Sequence, residues 1–180
     1  MIVISDSTPL IHFGTINRLD LLRSMYGQIF ITGAVHREVV IEGIALGKVD
    51  AFLIEKEIGD WIEVAGLEGY VGEICSQYRI HIGEAESILL ARELNADLLL
   101  INERDGRWAA KNAGIEVKGT IGVISDCVGE HFLTIGDAAR ILYVFRDNPS
   151  EFWIDPEIID MAVRRIKSLS EGHGEGDETT

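Results

Sequence analysis

Short apolar runs alternate with segments of helical period along the first two thirds of the chain. Runs of this length that are rich in Val, Ile and Leu are typical of strands buried on both faces of a parallel sheet. The clearest runs are residues 2–5, 28–31 and 97–101, and weaker ones occupy 61–64 and 115–118. We expect these five segments to form one mostly parallel sheet.

Segments with apolar residues at helical spacing separate these strands. They predict helices at residues 9–25, 34–42, 47–58, 84–95 and 106–113. Helices that connect parallel strands cover both faces of the sheet, so the chain is predicted to form a three-layer α/β/α sandwich.

Beyond Gly119 the strand pattern fades and helical periods continue. Residues 120–130, 135–146 and 156–169 each predict a helix, and Asp155-Pro156 is a typical start for the last of them. The sequence therefore ends in additional C-terminal helices rather than in further strands.

The chain has 180 residues and 47% hydrophobic composition, which suits one hydrophobic core. We predict a single domain over residues 1–169, with a core at 1–125 and a helical extension at 126–169. Residues 170–180 contain no large apolar side chain and are predicted to be a disordered acidic tail.

A net charge of −14 disfavours nonspecific adhesion to a polyanion, so a nucleic-acid site would need a local source of positive charge. Cys75 and Cys127 lack the paired spacing of zinc sites and are predicted to be small buried residues in a reduced compartment. There is neither a signal-peptide pattern nor a membrane-length apolar run. These features predict a cytoplasmic protein without a membrane partner.

The first apolar run ends at Asp6, at the edge of a parallel sheet where ligands bind. The same aspartate precedes Ser-Thr-Pro, so it could equally cap a helix starting near Pro9. Other acids converging on Asp6 would favour a functional site.

Two glutamates are predicted to point inward from helices. On a helical wheel each residue is rotated by about 100° from the one before it. If Glu84 is placed at zero, Ile88 lies near 40° and Glu86 near 200°. Glu84 therefore shares the apolar stripe, whereas Glu86 faces water. Glu38 also lies within an apolar arc. The alternatives are a first-turn acid at Glu84 and a salt bridge at Glu38.

The strand at 97–101 is followed by Asn102 and Glu103, which places Glu103 at the same sheet edge as Asp6. Asn102 could add a neutral oxygen ligand. Asp105 is better explained as the cap of a helix beginning at Gly106.

Four acids without matched basic partners repel one another unless a divalent cation neutralises them. Oxygen-only ligands suit Mg²⁺ or Mn²⁺. Such a site can activate water for attack on a phosphodiester, and the metal would supply the missing positive field.

The chain resembles the PIN-domain nucleases, and in particular their prokaryotic toxin-like branch. The resemblance is carried by the order and spacing of Ile4-Ser5-Asp6-Ser7-Thr8-Pro9-Leu10-Ile11, Val35-His36-Arg37-Glu38-Val39, Gly83-Glu84-Ala85-Glu86, Leu99-Leu100-Ile101-Asn102-Glu103-Arg104 and Val117-Lys118-Gly119-Thr120-Ile121-Gly122-Val123-Ile124.

The resemblance implies a Mg²⁺- or Mn²⁺-dependent endoribonuclease, commonly the toxin of a toxin–antitoxin pair, with RNA as substrate. It also implies the site residues: the metal-binding and catalytic acids Asp6, Glu38, Glu84 and Glu103, supported by Ser7, Thr8 and Asn102. Many relatives have Asp at the places of Glu84 and Glu103, and this branch usually has Asp at the place of Asn102.

Two other functions remain open from the sequence. The acids could form the crevice of a catalytically weak PIN-like module that binds a partner without turnover. A phosphatase or receiver domain also has Asp after its first strand, but Thr8 stands where the phosphatase needs a second acid. Lys118 fits a receiver only by coincidence of position.

The remaining polar and aromatic residues give weaker predictions. Basic residues near the acids are interpreted as solvated helix surface, and three nearby histidines receive no role. Aromatic residues of the C-terminal third are candidates for a homodimer or antitoxin contact. These residues are Arg37, Arg104, Arg107 and Lys111; His12, His36 and His81; and Phe132, Tyr143, Phe145, Phe152 and Trp153.

Overall fold

The computed structural model describes residues 1–171, with side chains through residue 168. Five parallel strands form one sheet in the order β3-β2-β1-β4-β5. The strands are β1 (Val3–Ser5), β2 (Ile29–Ile31), β3 (Ile62–Val64), β4 (Leu98–Leu100) and β5 (Val117–Lys118). Each of the five predicted strands is present.

Helices flank the sheet, and the fold is the expected three-layer α/β/α sandwich. Up to β5 the helices are α1 (Ser7–Thr15), α2 (Leu19–Tyr26), α3 (Gly33–His36), a π-helical segment (Arg37–Glu42), α4 (Gly43–Ala45), α5 (Val49–Glu57), α6 (Gly72–Tyr78), α7 (Ile82–Glu93) and α8 (Arg104–Asn112).

The alternation of side chains along the strands explains why both faces of the sheet are apolar. Ile4, Leu99 and Val117 share one buried face and belong to the same core cluster as Ala85 and Ile88 of α7. In β1 and β4 the strand neighbours point to the other face and are also buried. A sheet buried on both sides accounts for the nearly continuous apolar runs in the sequence.

The strand order places a topological switch point between β1 and β4. From β1 the chain proceeds to β2 and β3 on one side of the sheet, and it returns to β4 and β5 on the other. The backbone N–H of Asp6 donates to Leu100 O at 2.9 Å, so Asp6 lies where β1 and β4 both end. Ligand crevices in doubly wound sheets form at this position.

The predicted helix at 9–25 is wrong in one respect, because the chain breaks between α1 and α2. Asn17 has a positive φ of 53°, a left-handed conformation that asparagine tolerates better than most residues. Its backbone N–H closes a turn onto Gly14 O at 2.9 Å. Helix α6 was not predicted from the pattern.

The predicted helix at 34–42 extends from α3 through the π-helical segment into α4. The wider π-helical turn shifts the side chains that follow it relative to a regular helix. At the end of the segment Gly43 permits close approach to α5, since a Cβ there would lie 2.6 Å from Ala51 Cβ.

The chain divides into two compact units, residues 1–120 and the residues from 121 onward. The second unit contains α9 (Thr120–Gly129), α10 (Ile135–Asp147), α11 (Pro149–Phe152) and α12 (Pro156–Glu171). The first residue of α9, Thr120, is the last residue of the first unit. α11 was not predicted. The single domain over 1–169 stays a prediction, and the predicted disorder of residues 170–180 falls mostly outside the described residues, although 170 and 171 lie in α12.

Within the second unit α10 packs against α12, and the Phe145 and Phe152 rings lie 4.3 Å apart between centroids. Both phenylalanines are buried, whereas Trp153 is exposed. Of the cysteines, Cys127 is buried as predicted but Cys75 is only half-buried. Over the described residues, the helices are all too short or too polar to cross a membrane.

Candidate active site

Asp6 lies at the carboxyl end of β1, in the N-cap position of α1. Its side chain is 4% exposed and makes no capping hydrogen bond to the helix, so the alternative capping role does not explain it. Ser87 Oγ lies 3.4 Å from Asp6 Oδ1 and donates to Gly83 O at 2.8 Å. Burial makes the charged form of this carboxyl costly, although a hydrogen bond with the Ser7 backbone lowers its pKa.

Glu38 reaches the same place from the π-helical segment. Ser7 Oγ donates to Glu38 Oε2 at 2.6 Å, which joins this segment to the first turn of α1. The prediction that Glu38 points inward is only half right, because its side chain is exposed as a whole while the carboxylate bends toward Ser7.

Glu103 occupies the N-cap position of α8, just after β4. Thr8 Oγ1 donates to Glu103 Oε1 at 2.8 Å, so the second hydroxyl of α1 holds this acid as the first holds Glu38. Glu103 is exposed. Because the helix starts at Arg104, Asp105 lies in its first turn, and its predicted role as the cap is wrong.

Glu84 is buried in the first turn of α7, with 6% exposure. Its Oε2 accepts the His81 backbone N–H at 2.9 Å, a capping-box contact that the sequence analysis did not predict. The first-turn position itself is the alternative considered from the sequence. Glu84 Oε1 is buried and has no hydrogen-bond partner among the described residues. Glu84 therefore caps its own helix with one oxygen and leaves the other unsatisfied.

Two glycines lie beside the acids, and one of them leaves room that an acid occupies. A Cβ at Gly83 would lie 3.8 Å from both Asp6 Oδ1 and Glu38 Oε2, which shows that these carboxylates meet over the start of α7. A Cβ at Gly106 would lie 2.5 Å from Glu84 Oε1. Real Cβ atoms do not approach an oxygen this closely, so the Glu84 carboxylate occupies space that only glycine leaves free.

The four acids form one electrostatic unit. Burial, and then the nearby Glu103 carboxylate, raise the pKa of Asp6 to about 8, and Glu84 and Glu38 add to the rise. Burial also raises the pKa of Glu84, against the lowering effect of the His81 backbone N–H, and Glu103 raises it further. Burial together with nearby like charges makes this crevice a candidate functional site.

The donor set suits a hard divalent cation. All the candidate ligands are carboxylate oxygens, and the buried Glu84 Oε1 has no hydrogen-bond partner among the described residues. In the present rotamers, however, no three Asp, Glu, His or Cys side chains within the described part of the chain are grouped to hold a metal ion. Glu38 and Glu103 are instead hydrogen-bonded to the two α1 hydroxyls, and both side chains are exposed.

Asn102 lies beside the site but is engaged elsewhere. Its Oδ1 accepts the Thr120 backbone N–H at 2.8 Å, and its Nδ2 lies 3.2 Å from His12 Nδ1 and 3.1 Å from Thr120 Oγ1. His12 is itself buried. The amide thus ties the end of β4 to α1 and to Thr120 within the first unit. This is a structural role, and the amide oxygen is already engaged as an acceptor.

The sequence prediction missed several contributors. Glu86, predicted to face water, is half-buried and accepts the Ala34 backbone N–H at 3.1 Å, at the start of α3. Ser87 follows Glu84 by three residues on the same helical face, and that spacing was the available signal. Gly106 had no signal, because its role depends on which side chain of another helix lies against it.

A family described as a PIN domain matches residues 2–168 of the chain. No curated protein gives a significant match.

Proposed function

The chain belongs to the PIN-domain family, whose members are generally nucleases, and we propose that it is a metal-dependent endoribonuclease that hydrolyses RNA phosphodiester bonds. The observation that carries the proposal is the convergence of Asp6, Glu38, Glu84 and Glu103 at the β1/β4 switch point. There the pKa of Asp6 rises to about 8 and one Glu84 oxygen has no partner among the described residues.

The same four acids would hold Mg²⁺ or Mn²⁺. When bound, the cation would neutralise the carboxylates, polarise a phosphate oxygen and lower the pKa of water. PIN domains typically use divalent metals, and the all-oxygen donor set fits both ions.

The burial of the acids gives the crevice a floor and a rim. Asp6 and Glu84 are buried and form the floor, where water is scarce and electrostatic interactions are strong. Glu38 and Glu103 are exposed and form the rim, each held by an α1 hydroxyl. A phosphate group must therefore approach over the rim, between the start of α8 and the π-helical segment.

Cleavage of labelled single-stranded RNA tests this proposal. With Mg²⁺ or Mn²⁺ we expect cleavage by the full chain, loss of cleavage in EDTA, and loss in Asp6→Asn. The matched control is Glu55→Gln, which removes one negative charge from the exposed surface of α5 and should leave the rate unchanged. Cleavage by Asp6→Asn at the normal rate would contradict the assignment.

We also propose that the protein is the toxin of a toxin–antitoxin pair, acting in the cytoplasm as a homodimer. The support is the similarity of its motifs to the toxin-like branch of the family. Induced expression should arrest growth, and Asp6→Asn should relieve the arrest. Growth unaffected by the active protein, or a monomer by light scattering, would contradict the respective part of this proposal.

The alternative is a binding module whose acidic crevice engages a basic partner without turnover. The observation in its favour is that Glu38 and Glu103 are hydrogen-bonded to Ser7 and Thr8 in their present rotamers. A cation that binds the native state must raise its thermal stability. No shift in melting temperature with millimolar Mg²⁺ or Mn²⁺ would favour this alternative over the nuclease.

A further inference from the structure

Helix α8 has an outer face that combines positive charge with an aromatic ring. Arg104, Arg107, Trp108 and Lys111 follow the spacing i, i+3, i+4, i+7 and so lie within an arc of about 100° on the helix. We call these four residues the α8 stripe. The buried residues Gly106, Ala109 and Ala110 lie on the opposite side of the helix.

The cations of the stripe are not neutralised by the protein. Elsewhere Arg18, Arg23 and Arg140 pair with aspartates at 3.0 Å or less. Arg104 and Lys111 make no ion pair within the described residues, although the chain carries a net charge of −14. Three cations within one arc of a single helix offer a phosphate backbone a cluster of positive charges on an otherwise acidic chain.

Trp108 is the second unusual feature of the stripe. It is 59% exposed, and its ring meets Tyr78 edge-on with 5.4 Å between centroids. Its exposed ring lies on the same arc of α8 as the three cations. An exposed indole between cations is the combination that single-stranded nucleic-acid sites use, with bases stacked on the ring and phosphates on the charges.

The position of the stripe joins it to the acid crevice. Arg104 directly follows Glu103, a rim acid of the crevice, and the stripe then runs along α8 for about 10 Å, at 1.5 Å per residue. Arg107 is fixed at its near end, where its Nη1 donates to Ile101 O at 3.3 Å. A strand crossing the rim would therefore meet the stripe next.

We propose that the α8 stripe binds single-stranded RNA on one side of the cleaved phosphodiester, with phosphates on Arg104 and Lys111 and a base stacked on Trp108. The proposal rests on the proposed nuclease function for its choice of RNA. An acidic chain repels the negatively charged RNA, and the cations of the α8 stripe would offset this repulsion next to the acid crevice.

Binding in the absence of metal tests the stripe separately from catalysis. The probe is a fluorescein-labelled oligouridine of about 12 nucleotides, titrated by fluorescence anisotropy with the full chain in EDTA. Trp108→Ala should weaken binding about 5- to 30-fold, and Trp108→Phe should restore most of it because the ring is kept. Arg104→Gln with Lys111→Gln should weaken binding and flatten the salt dependence by about 0.7 in log–log slope per cation.

Matched controls lie on the second unit. Trp153→Ala removes another exposed tryptophan, and Arg164→Gln with Arg165→Gln removes two other exposed cations. Neither control should change the affinity for the oligonucleotide by more than the experimental error of the wild-type measurement. Quenching of tryptophan fluorescence by the oligonucleotide should also disappear in Trp108→Phe and persist in Trp153→Ala.

Several results would overturn the proposal. These are no binding by the wild type at low salt, stripe variants that bind as the wild type does, and controls that weaken binding as much as the stripe variants. Displacement of RNA by polyglutamate of equal charge at lower concentration would assign the stripe to an acidic protein instead. If oligouridine binds through the stripe but no metal supports cleavage, the nuclease function fails and the RNA surface stands.

Discussion

Replacing Asp6 by Asn should stabilise the metal-free protein while destroying its function. In the folded chain the pKa of Asp6 is raised to about 8 by burial and by Glu103, whereas its ordinary value is 3.8. Between these two values the folded state holds a proton that the unfolded state has lost. Stability therefore falls as pH rises from about 4 to about 8, and it levels off above that range.

The size of the effect follows from the pKa difference. Counted from 3.8 up to pH 7, at about 1.4 kcal/mol for each pKa unit, ionisation of Asp6 in the unfolded state lowers the free energy of unfolding by about 4 kcal/mol. Asparagine is close in shape to the neutral carboxyl and does not ionise, so its stability carries no such pH dependence. We take about 4 kcal/mol as the upper limit of the gain at pH 7, and expect less than half of it at pH 5.

Urea denaturation in EDTA at pH 5, 7 and 9 measures the prediction. Asp6→Asn should unfold at higher urea than the wild type. The difference in the free energy of unfolding should widen from pH 5 to pH 7, and by about a further 1.4 kcal/mol by pH 9, because the folded-state pKa is about 8. Glu55→Gln is again the control, because it removes an exposed charge and should give no pH-dependent difference. An Asp6→Asn protein that is less stable at pH 7, or whose advantage shrinks as pH rises, would refute the reasoning.

Three further substitutions test the surroundings of the acids. Gly106→Ala should displace the Glu84 carboxylate and so abolish the thermal stabilisation by Mn²⁺, although alanine itself favours a helix. Thermal stabilisation by Mn²⁺ equal to that of the wild type would contradict the close contact between Gly106 and Glu84. Asn102→Ala should lower the free energy of unfolding by about 1–3 kcal/mol, measured in urea, because the buried Thr120 N–H loses its acceptor; a loss below this range would show that water replaces the amide. Thr8→Val should weaken Mn²⁺ binding in calorimetry, because Glu103 loses the hydroxyl that hydrogen-bonds to it, whereas Thr8→Ser keeps a hydroxyl and should bind normally. Equal Mn²⁺ affinity in both variants would show that the Thr8 hydroxyl does not contribute to the site.

The parts of the structure that follow from local pattern were predicted well. Strands such as β1 and β4 are buried on both faces, so their apolar runs are unbroken and their ends are marked by Asp6 and Asn102. Once the strands are parallel, the acids at their carboxyl ends must share one edge. Glu84 was placed on the inner face of its helix by the helical period alone, and it is buried there.

The parts that depend on distant contacts were not predictable. The π-helical segment displaces Glu38 from the regular wheel, so its exposure could not be derived from a 100° step. The predicted cap of α8, Asp105, and the observed cap, Glu103, differ by two residues, which is within the uncertainty of a capping signal. The unsatisfied Glu84 oxygen and the room left by Gly106 exist only because α7 and α8 pack together.

Anomalous diffraction from crystals of the full chain soaked with Mn²⁺ tests the central claim most directly. We predict a peak in the crevice at the β1/β4 switch point, with oxygens of Asp6 and Glu84 within about 2.5 Å of it and the Glu38 and Glu103 side chains rotated toward it. Crystals of Asp6→Asn should lack the peak. A crevice without anomalous density at millimolar Mn²⁺, with Glu38 and Glu103 still bonded to Ser7 and Thr8, would contradict the proposal that these four acids form a metal site.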